Sequence, residues 1–173
     1  YLTNHGIAVL RYDDRGINES TGDFSQATSA DFATDANAAF AYLSSRPEID
    51  HDAIGFVGHS AGGMIGPIAI NDNQKIAFLV MLAGPGTPAL QISQSQNRLI
   101  ALSQGASEES VDKSVALSTK ITNAVAQSTS IQDAQQQIRA ILTPEALETL
   151  GINESQIDFI VAQNTTPWIR YFL

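Results

Sequence analysis

The sequence predicts an α/β fold, in which a parallel sheet of about three strands is followed by an all-helical segment. Three apolar runs of strand length, at 6–12, 53–59 and 75–83, alternate with two helical patterns. Such alternation is typical of parallel sheets with right-handed crossovers. After Pro88 no strand pattern remains. We therefore divide the chain into an α/β layer at 1–88 and a helical segment at 89–173.

Composition narrows the class of protein. The 173 residues include 9 basic and 18 acidic side chains, which give a formal net charge of −9. This balance argues against a nucleic-acid partner, because nucleic-acid binding requires a basic surface. No apolar run approaches the roughly 18 residues of a spanning helix, so no membrane span is expected. The chain has no cysteine and three scattered histidines, so we expect no metal site.

The first strand is predicted over Gly6–Tyr12 (GIAVLRY), and its nearly continuous apolar character favours burial on both faces. A turn at 13–16 and a polar loop at 17–28 follow. Ser29 is predicted to cap a helix over 30–45, where apolar residues recur with the helical period.

The second strand is predicted over 53–59 and the third over 75–83. Between them, residues 61–70 form a helix of small residues, which Pro67 should kink or shorten. In the helical segment, capping residues predict helices that begin after Ser107, Ser130, Thr143 and Asn153 and at Pro167.

The candidate catalytic residues lie at the junction between the second strand and the helix that follows it. Gly58-His59-Ser60-Ala61-Gly62 matches G-x-S-x-G, which is typical of a nucleophilic serine on a sharp strand-to-helix turn. The flanking Gly58, Gly62 and Gly63 would let strand and helix approach closely. The Ala61 backbone N–H, at the start of the helix, is the expected oxyanion donor.

Several motifs lie in the order found in one superfamily. They are Arg11–Ser20 (RYDDRGINES), Gly58–Gly63 (GHSAGG), Leu82–Gly86 (LAGPG) and the terminal Pro167–Phe172 (PWIRYF). The chain resembles the α/β-hydrolase superfamily, in particular serine esterases related to prolyl-oligopeptidase-type hydrolases. The resemblance implies a partial α/β-hydrolase sheet and makes 89–173 a helical cap or lid segment.

The resemblance also implies an activity. Ser60 would attack a small-molecule carboxylic ester and form an acyl-enzyme, with no cofactor. Alternatives are a serine peptidase of the same fold, or a catalytically silent fragment with a scaffold or interaction role. In this family the triad runs Ser, Asp, His along the chain. We expect the chain to be a segment of a longer protein, with the acid and base beyond Leu173 and the second oxyanion donor before Tyr1.

The histidines present are not expected to act as the base. In a strand, the side chain of His59 should point to the opposite face from Ser60, and we expect it to be packed and hydrogen-bonded. His5 and His51 lie at the other end of the strands. Asp13 and Asp14 are expected to belong to a structural turn whose charges are paired locally.

The family's strand order leaves a gap between the first and second predicted strands. Two second-neighbour strands would lie about 10 Å apart, twice the usual spacing. Open strand edges bind other strands. We therefore expect either rearrangement of the sheet or a homo-oligomer that forms through its open edges.

Overall fold

The computed structural model describes all residues, 1–173, and they divide into two compact units, Tyr1–Gly86 and Thr87–Leu173. The helices and strands, apart from short 3₁₀ turns, are α1 Ser29–Ser44, β1 Phe56–His59, α2 Gly62–Asp72, β2 Leu79–Leu82, α3 Ala89–Ser103, α4 Glu108–Gln127, α5 Ile131–Ile141, α6 Pro144–Leu150, α7 Ile157–Asn164 and α8 Pro167–Phe172. No helix combines the length and the apolarity that crossing a membrane requires.

The first unit contains a two-stranded parallel sheet. β1 and β2 pair in a register that runs from Phe56 opposite Leu79 to His59 opposite Leu82. Helix α2 packs against both strands and against α1. Ala33 and Ala36 of α1 form a small core with Ala69 of α2, and their short side chains allow the two helices to lie close together. The predicted fold class, a partial α/β sheet followed by helices, is confirmed.

The predicted strand over Gly6–Tyr12 does not form. Residues 8–12 make no backbone–backbone hydrogen bond, and Ile7, Val9, Leu10 and Tyr12 are exposed rather than buried. A strand is stabilised by its neighbour in the ladder, and no other strand lies beside this segment. The sheet therefore has two strands, and it has not rearranged to include the third.

The two strands that form are shorter than their apolar runs. Residues 51–53 form a 3₁₀ turn, so β1 begins only at Phe56. Before β2, Asn73 organises a turn, because its carbonyl accepts from the Ile76 N–H and its side chain from the Lys75 N–H. These local bonds occupy backbone groups that a longer ladder would need.

Thr28, not Ser29, caps α1. The Thr28 hydroxyl accepts from the Asp31 N–H, and the Asp31 carboxylate accepts from the Thr28 N–H, which forms a complete capping box. The prediction was wrong by one residue. Ser29 is the first helical residue; it is fully buried, and its hydroxyl has no hydrogen-bond partner.

Arg15 fastens the early loop to α1. Its Nε and Nη2 atoms donate to the two carboxylate oxygens of Asp35 over 2.7 and 2.8 Å, and Nη2 also donates to the Asp31 carbonyl over 2.7 Å. The prediction that the charges pair within the turn itself is therefore wrong for Arg15. The neighbouring Tyr12 is 50% exposed, but the loss of water around the rest of its side chain, and then the charges of Asp35 and Asp14, raise the pKa of its phenol.

The second unit is a bundle of helices with its own core. Six buried residues form it, five from α4, α5, α6 and α7 and one that directly follows α5: Ile121, Val125, Ile138, Leu142, Leu147 and Val161. Ser107, Ser130, Thr143 and Asn153 cap the helical turns that follow them. Helix α3 was not predicted, because no side chain caps its start and 7 of its 15 residues are Gln, Ser or Asn.

Candidate active site

Ser60 lies at the sharp turn between β1 and α2. Its φ is +53°, a conformation that non-glycine residues rarely adopt and that is common at functional sites. Its N–H donates to the Leu82 carbonyl over 2.9 Å, so β2 holds the turn in place. Ser60 is exposed. The backbone is therefore strained and held in a conformation that is typical of a strand-to-helix serine turn.

Two of the three elbow glycines are required by close packing. A Cβ atom at Gly58 would lie 2.3 Å from the Gly62 carbonyl oxygen, and one at Gly63 would lie 2.6 Å from the Gly84 Cα atom. Contacts this short with backbone atoms cannot be relieved by side-chain movement. At Gly62 a Cβ would meet nothing within 4 Å, so close packing does not explain glycine there.

The start of α2 presents unpaired backbone donors next to Ser60. The N–H groups of Ala61 and Gly62 make no backbone hydrogen bond, whereas those of Gly63 and Met64 donate to the carbonyls of Ser60 and Ala61. Free N–H groups at a helix start favour negative charge. This arrangement can stabilise an oxyanion that forms on a carbonyl attacked by Ser60.

None of the three histidines bonds to Ser60, whose side chain makes no hydrogen bond. His5 and His51 contact the backbone carbonyls of Tyr1 and Arg46. His59 is exposed and its ring makes no hydrogen bond, so the prediction that it is packed and hydrogen-bonded is wrong.

The carboxylates of Asp13 and Asp14 make no ion pair or hydrogen bond. Instead the Asp13 carbonyl accepts from the Ser20 hydroxyl over 2.7 Å, and the Asp14 carbonyl accepts from the Ile17 N–H over 3.0 Å. Asn18 has a φ of +46°, a conformation that asparagine tolerates. These bonds give the segment a structural role as a folded turn.

The sequence did not reveal how the loop after β2 supports the elbow. Leu82 supplies the acceptor for the Ser60 N–H, Gly84 contacts Gly63, and Ala83 between them has a φ of +50°. The Leu82–Gly86 motif was visible in the sequence. Its backbone role was not, since hydrogen bonds between distant backbone atoms leave no mark on side-chain identity.

Comparison with known families agrees with this geometry. The family described as "Serine aminopeptidase, S33" matches residues 1–149, which is most of the chain. No curated protein and no solved structure matches the chain significantly. With its serine elbow and its parallel strands, the chain belongs to the serine aminopeptidase family S33 of the α/β-hydrolase superfamily.

Proposed function

We propose that the protein is a serine hydrolase that acts on carboxylic esters, with Ser60 as nucleophile. The observation that carries the proposal is the conformation of Ser60, which has a φ of +53° at the end of β1 and is exposed beside free N–H groups. Backbone strain of this kind costs about 1–3 kcal/mol and persists only where the surrounding structure imposes it.

The reaction follows from the positions of these atoms. Ser60 Oγ adds to the ester carbonyl carbon while a base takes its proton, and the carbonyl oxygen becomes an oxyanion that the Ala61 N–H stabilises. The bond to the alcohol oxygen then breaks, and the alcohol leaves with the proton. Water adds to the acyl-enzyme in the same way and releases the acid and free Ser60. No cofactor takes part in these steps.

The mechanism needs a base, and none of the three histidines supplies it. As the resemblance implies, we propose a histidine later in sequence than the helical segment, oriented by an aspartate. The closer relation to prolyl-oligopeptidase-type esterases and the role of residues 89–173 as a cap belong to the same proposal. Their support is the order of the sequence motifs and the separate core of the helical unit.

A serine peptidase is the second candidate. The description of the matching family, serine aminopeptidase, favours it. Both reactions use the same elbow and oxyanion donor, and they differ in the leaving group and in substrate recognition. Matched p-nitrophenyl esters and p-nitroanilides of the same acyl groups, including amino acids with free and acetylated α-amino groups, distinguish them. Faster turnover of free aminoacyl anilides than of the esters would overturn the ester assignment.

A fluorophosphonate probe tests the nucleophile, with Ser60→Ala as control. We expect stoichiometric labelling at Ser60 in a longer form of the protein that includes a following histidine, and little labelling of the 173-residue chain. Labelling of the 173-residue chain would contradict the position proposed for the base. Failure of both forms to label at Ser60 would contradict the hydrolase proposal and favour a silent scaffold.

A further inference from the structure

Ala83 lies beside the nucleophile at the same end of the sheet. The register of β1 and β2 pairs His59 with Leu82, and the ladder continues, because the Ser60 N–H donates to the Leu82 carbonyl over 2.9 Å. The next pair in this register is Ser60 and Ala83. Neighbouring strands lie about 4.8 Å apart, so Ala83 is an immediate neighbour of Ser60. Ligands of open α/β sheets bind at this end, where the strands have their carboxyl termini.

The backbone conformation of Ala83 matches that of Ser60. Their φ angles are +50° and +53°, and Asn18 is the only other non-glycine residue with a positive φ. Glycine would adopt this conformation without the steric cost that alanine bears. Ala83 is also exposed and belongs to none of the three buried cores. The stability of the fold therefore gives no reason for a side chain at this position.

Contacts on both sides fix the position of Ala83. Before it, the Leu82 carbonyl accepts from the Ser60 N–H. After it, Gly84 lies so close to Gly63 that an added Cβ on Gly63 would come 2.6 Å from the Gly84 Cα atom. The methyl group of Ala83 is thus held beside the nucleophile by two backbone contacts. Rigid support of this kind allows a site to discriminate between substrates of similar size.

The chemistry of the neighbouring residues and of the reaction indicates which part of a substrate lies here. The segments Ser60–Met64 and Leu82–Gly86 contain no ionisable side chain, so they favour an uncharged group. In the proposed reaction the acyl group stays bound to Ser60 Oγ until water releases it, whereas the alcohol leaves in the first step. A side chain next to Ser60 therefore meets the acyl group in both steps.

We propose that Ala83 is a specificity-determining residue whose methyl group limits the bulk accepted at the acyl α-carbon. That carbon is bonded to the reacting carbonyl, so it is the part of the acyl chain held nearest to Ser60. Branching there brings the substrate against Ala83, whereas lengthening the chain adds atoms further away. The preferred substrates are esters of uncharged acyl groups that are unbranched at the α-carbon. This inference rests on the proposed function, since it requires that Ser60 is acylated.

The p-nitrophenyl esters of butyric and isobutyric acid provide a matched test. They are isomers with the same leaving group, and they differ only in branching at the acyl α-carbon. The measured quantity is kcat/KM for isobutyrate divided by kcat/KM for butyrate, in the longer form of the protein that includes a following histidine. We expect Ala83→Gly to raise this ratio about tenfold. Ala83→Asn should lower it, because asparagine is larger and also tolerates positive φ.

Two controls separate specificity from a general effect on the fold. Ala38→Gly and Ala38→Asn make the same changes at an exposed position of α1 and should leave the ratio unchanged. Ser60 should still be labelled stoichiometrically by the fluorophosphonate probe in every variant, which shows that the nucleophile remains in place. If Ala83→Asn does not fold, the ratio for Ala83→Gly decides the question.

The outcomes distinguish this inference from the proposed function. An unchanged ratio in the Ala83 variants, with Ser60 still labelled, would overturn the inference and leave the hydrolase proposal intact. Equal losses toward both esters would overturn it too, since a purely structural effect predicts them, as would a change confined to esters that differ in the alcohol. If the unmodified protein neither labels at Ser60 nor hydrolyses either ester, the proposed function is wrong, and this inference with it.

Discussion

The backbone of Gly63, in the first turn of α2, lies directly against that of Gly84, just after β2. A Cβ atom at Gly63 would come 2.6 Å from the Gly84 Cα atom, and one at Gly84 would come 3.1 Å from the Gly63 Cα atom. Since both neighbours are backbone, a methyl group can be accommodated only if the helix moves away from the strand. This contact therefore holds the elbow at Ser60 in place.

We expect Gly63→Ala to destabilise the first unit by about 1–3 kcal/mol, because overpacking outweighs the helix propensity gained with alanine. Urea-dependent hydrogen exchange of amides in α1 and α2 measures the change. Gly62→Ala is the matched control: it adds the same methyl group one residue earlier, where nothing lies within 4 Å. Equal effects of the two substitutions would contradict a role for this contact.

The sequence predicted the elbow but only part of its construction. The G-x-S-x-G pattern identified Ser60, and small residues around it predicted close packing. Whether one of these glycines packs against another part of the backbone depends on the path of the loop after β2, which follows about 20 residues later in the sequence. Gly62 and Gly63 are therefore indistinguishable in the sequence, although only Gly63 is constrained by its neighbours.

The backbone strain at Ser60 should have a measurable effect on the free energy of unfolding. Glycine adopts positive φ without a steric cost, so we expect Ser60→Gly to be more stable than Ser60→Ala by up to about 1 kcal/mol, although both remove the hydroxyl. The free energy of unfolding of the two variants, obtained from the same exchange measurement, tests this comparison.

Ala38→Gly provides the reference for that comparison. Ala38 is exposed in the middle of α1, where glycine should cost about 1 kcal/mol relative to alanine. The alanine-to-glycine change should therefore have opposite signs at positions 38 and 60. The same sign at both positions would show that the turn at Ser60 stores no strain.

The sequence predicted local structure better than pairing between distant segments. Caps at Ser107, Ser130 and Thr143 depend on the next few residues, and the helices begin where these caps predicted. The strand over Gly6–Tyr12 required a neighbour far away in sequence, so its apolar pattern was insufficient. Helix α3 was not predicted because no side chain caps its start, so the local sequence does not mark where the helix begins.

The capping box of α1 should make the first unit sensitive to acid. The hydroxyl and N–H of Thr28 donate to the Asp31 carboxylate, and these bonds lower the pKa of Asp31 below its ordinary value. A folded-state pKa below the unfolded one means that the stabilisation is present above the unfolded pKa, near 3.9, and is lost as the pH falls through the folded value.

We therefore expect Asp31→Asn to lower the melting temperature at pH 6 and to have a diminishing effect as the pH falls toward 3. Melting curves of both proteins over this range measure the difference. Thr28→Ser keeps a hydroxyl donor and should retain the pH dependence of the unmodified chain. A difference between Asp31→Asn and the unmodified chain that stays constant with pH would exclude the carboxylate charge as its cause.

Arg170 joins α8 to the connection between α4 and α5. Its Nη1 atom donates to Ser128 Oγ over 2.6 Å and to the Ser130 carbonyl over 3.2 Å, and Ser128 is buried. Because Arg170→Met leaves these acceptors without a charged donor, we expect it to destabilise the helical unit by about 1–3 kcal/mol. Urea denaturation followed by the fluorescence of Trp168, the single tryptophan, measures this loss.

Arg170→Lys keeps the charge and should recover only part of the stability, since one ammonium cannot reproduce the guanidinium geometry. Arg139→Met removes an exposed ion pair with Asp158 and should have a smaller effect than Arg170→Met, so equal losses would show that burial of Ser128 does not determine the cost.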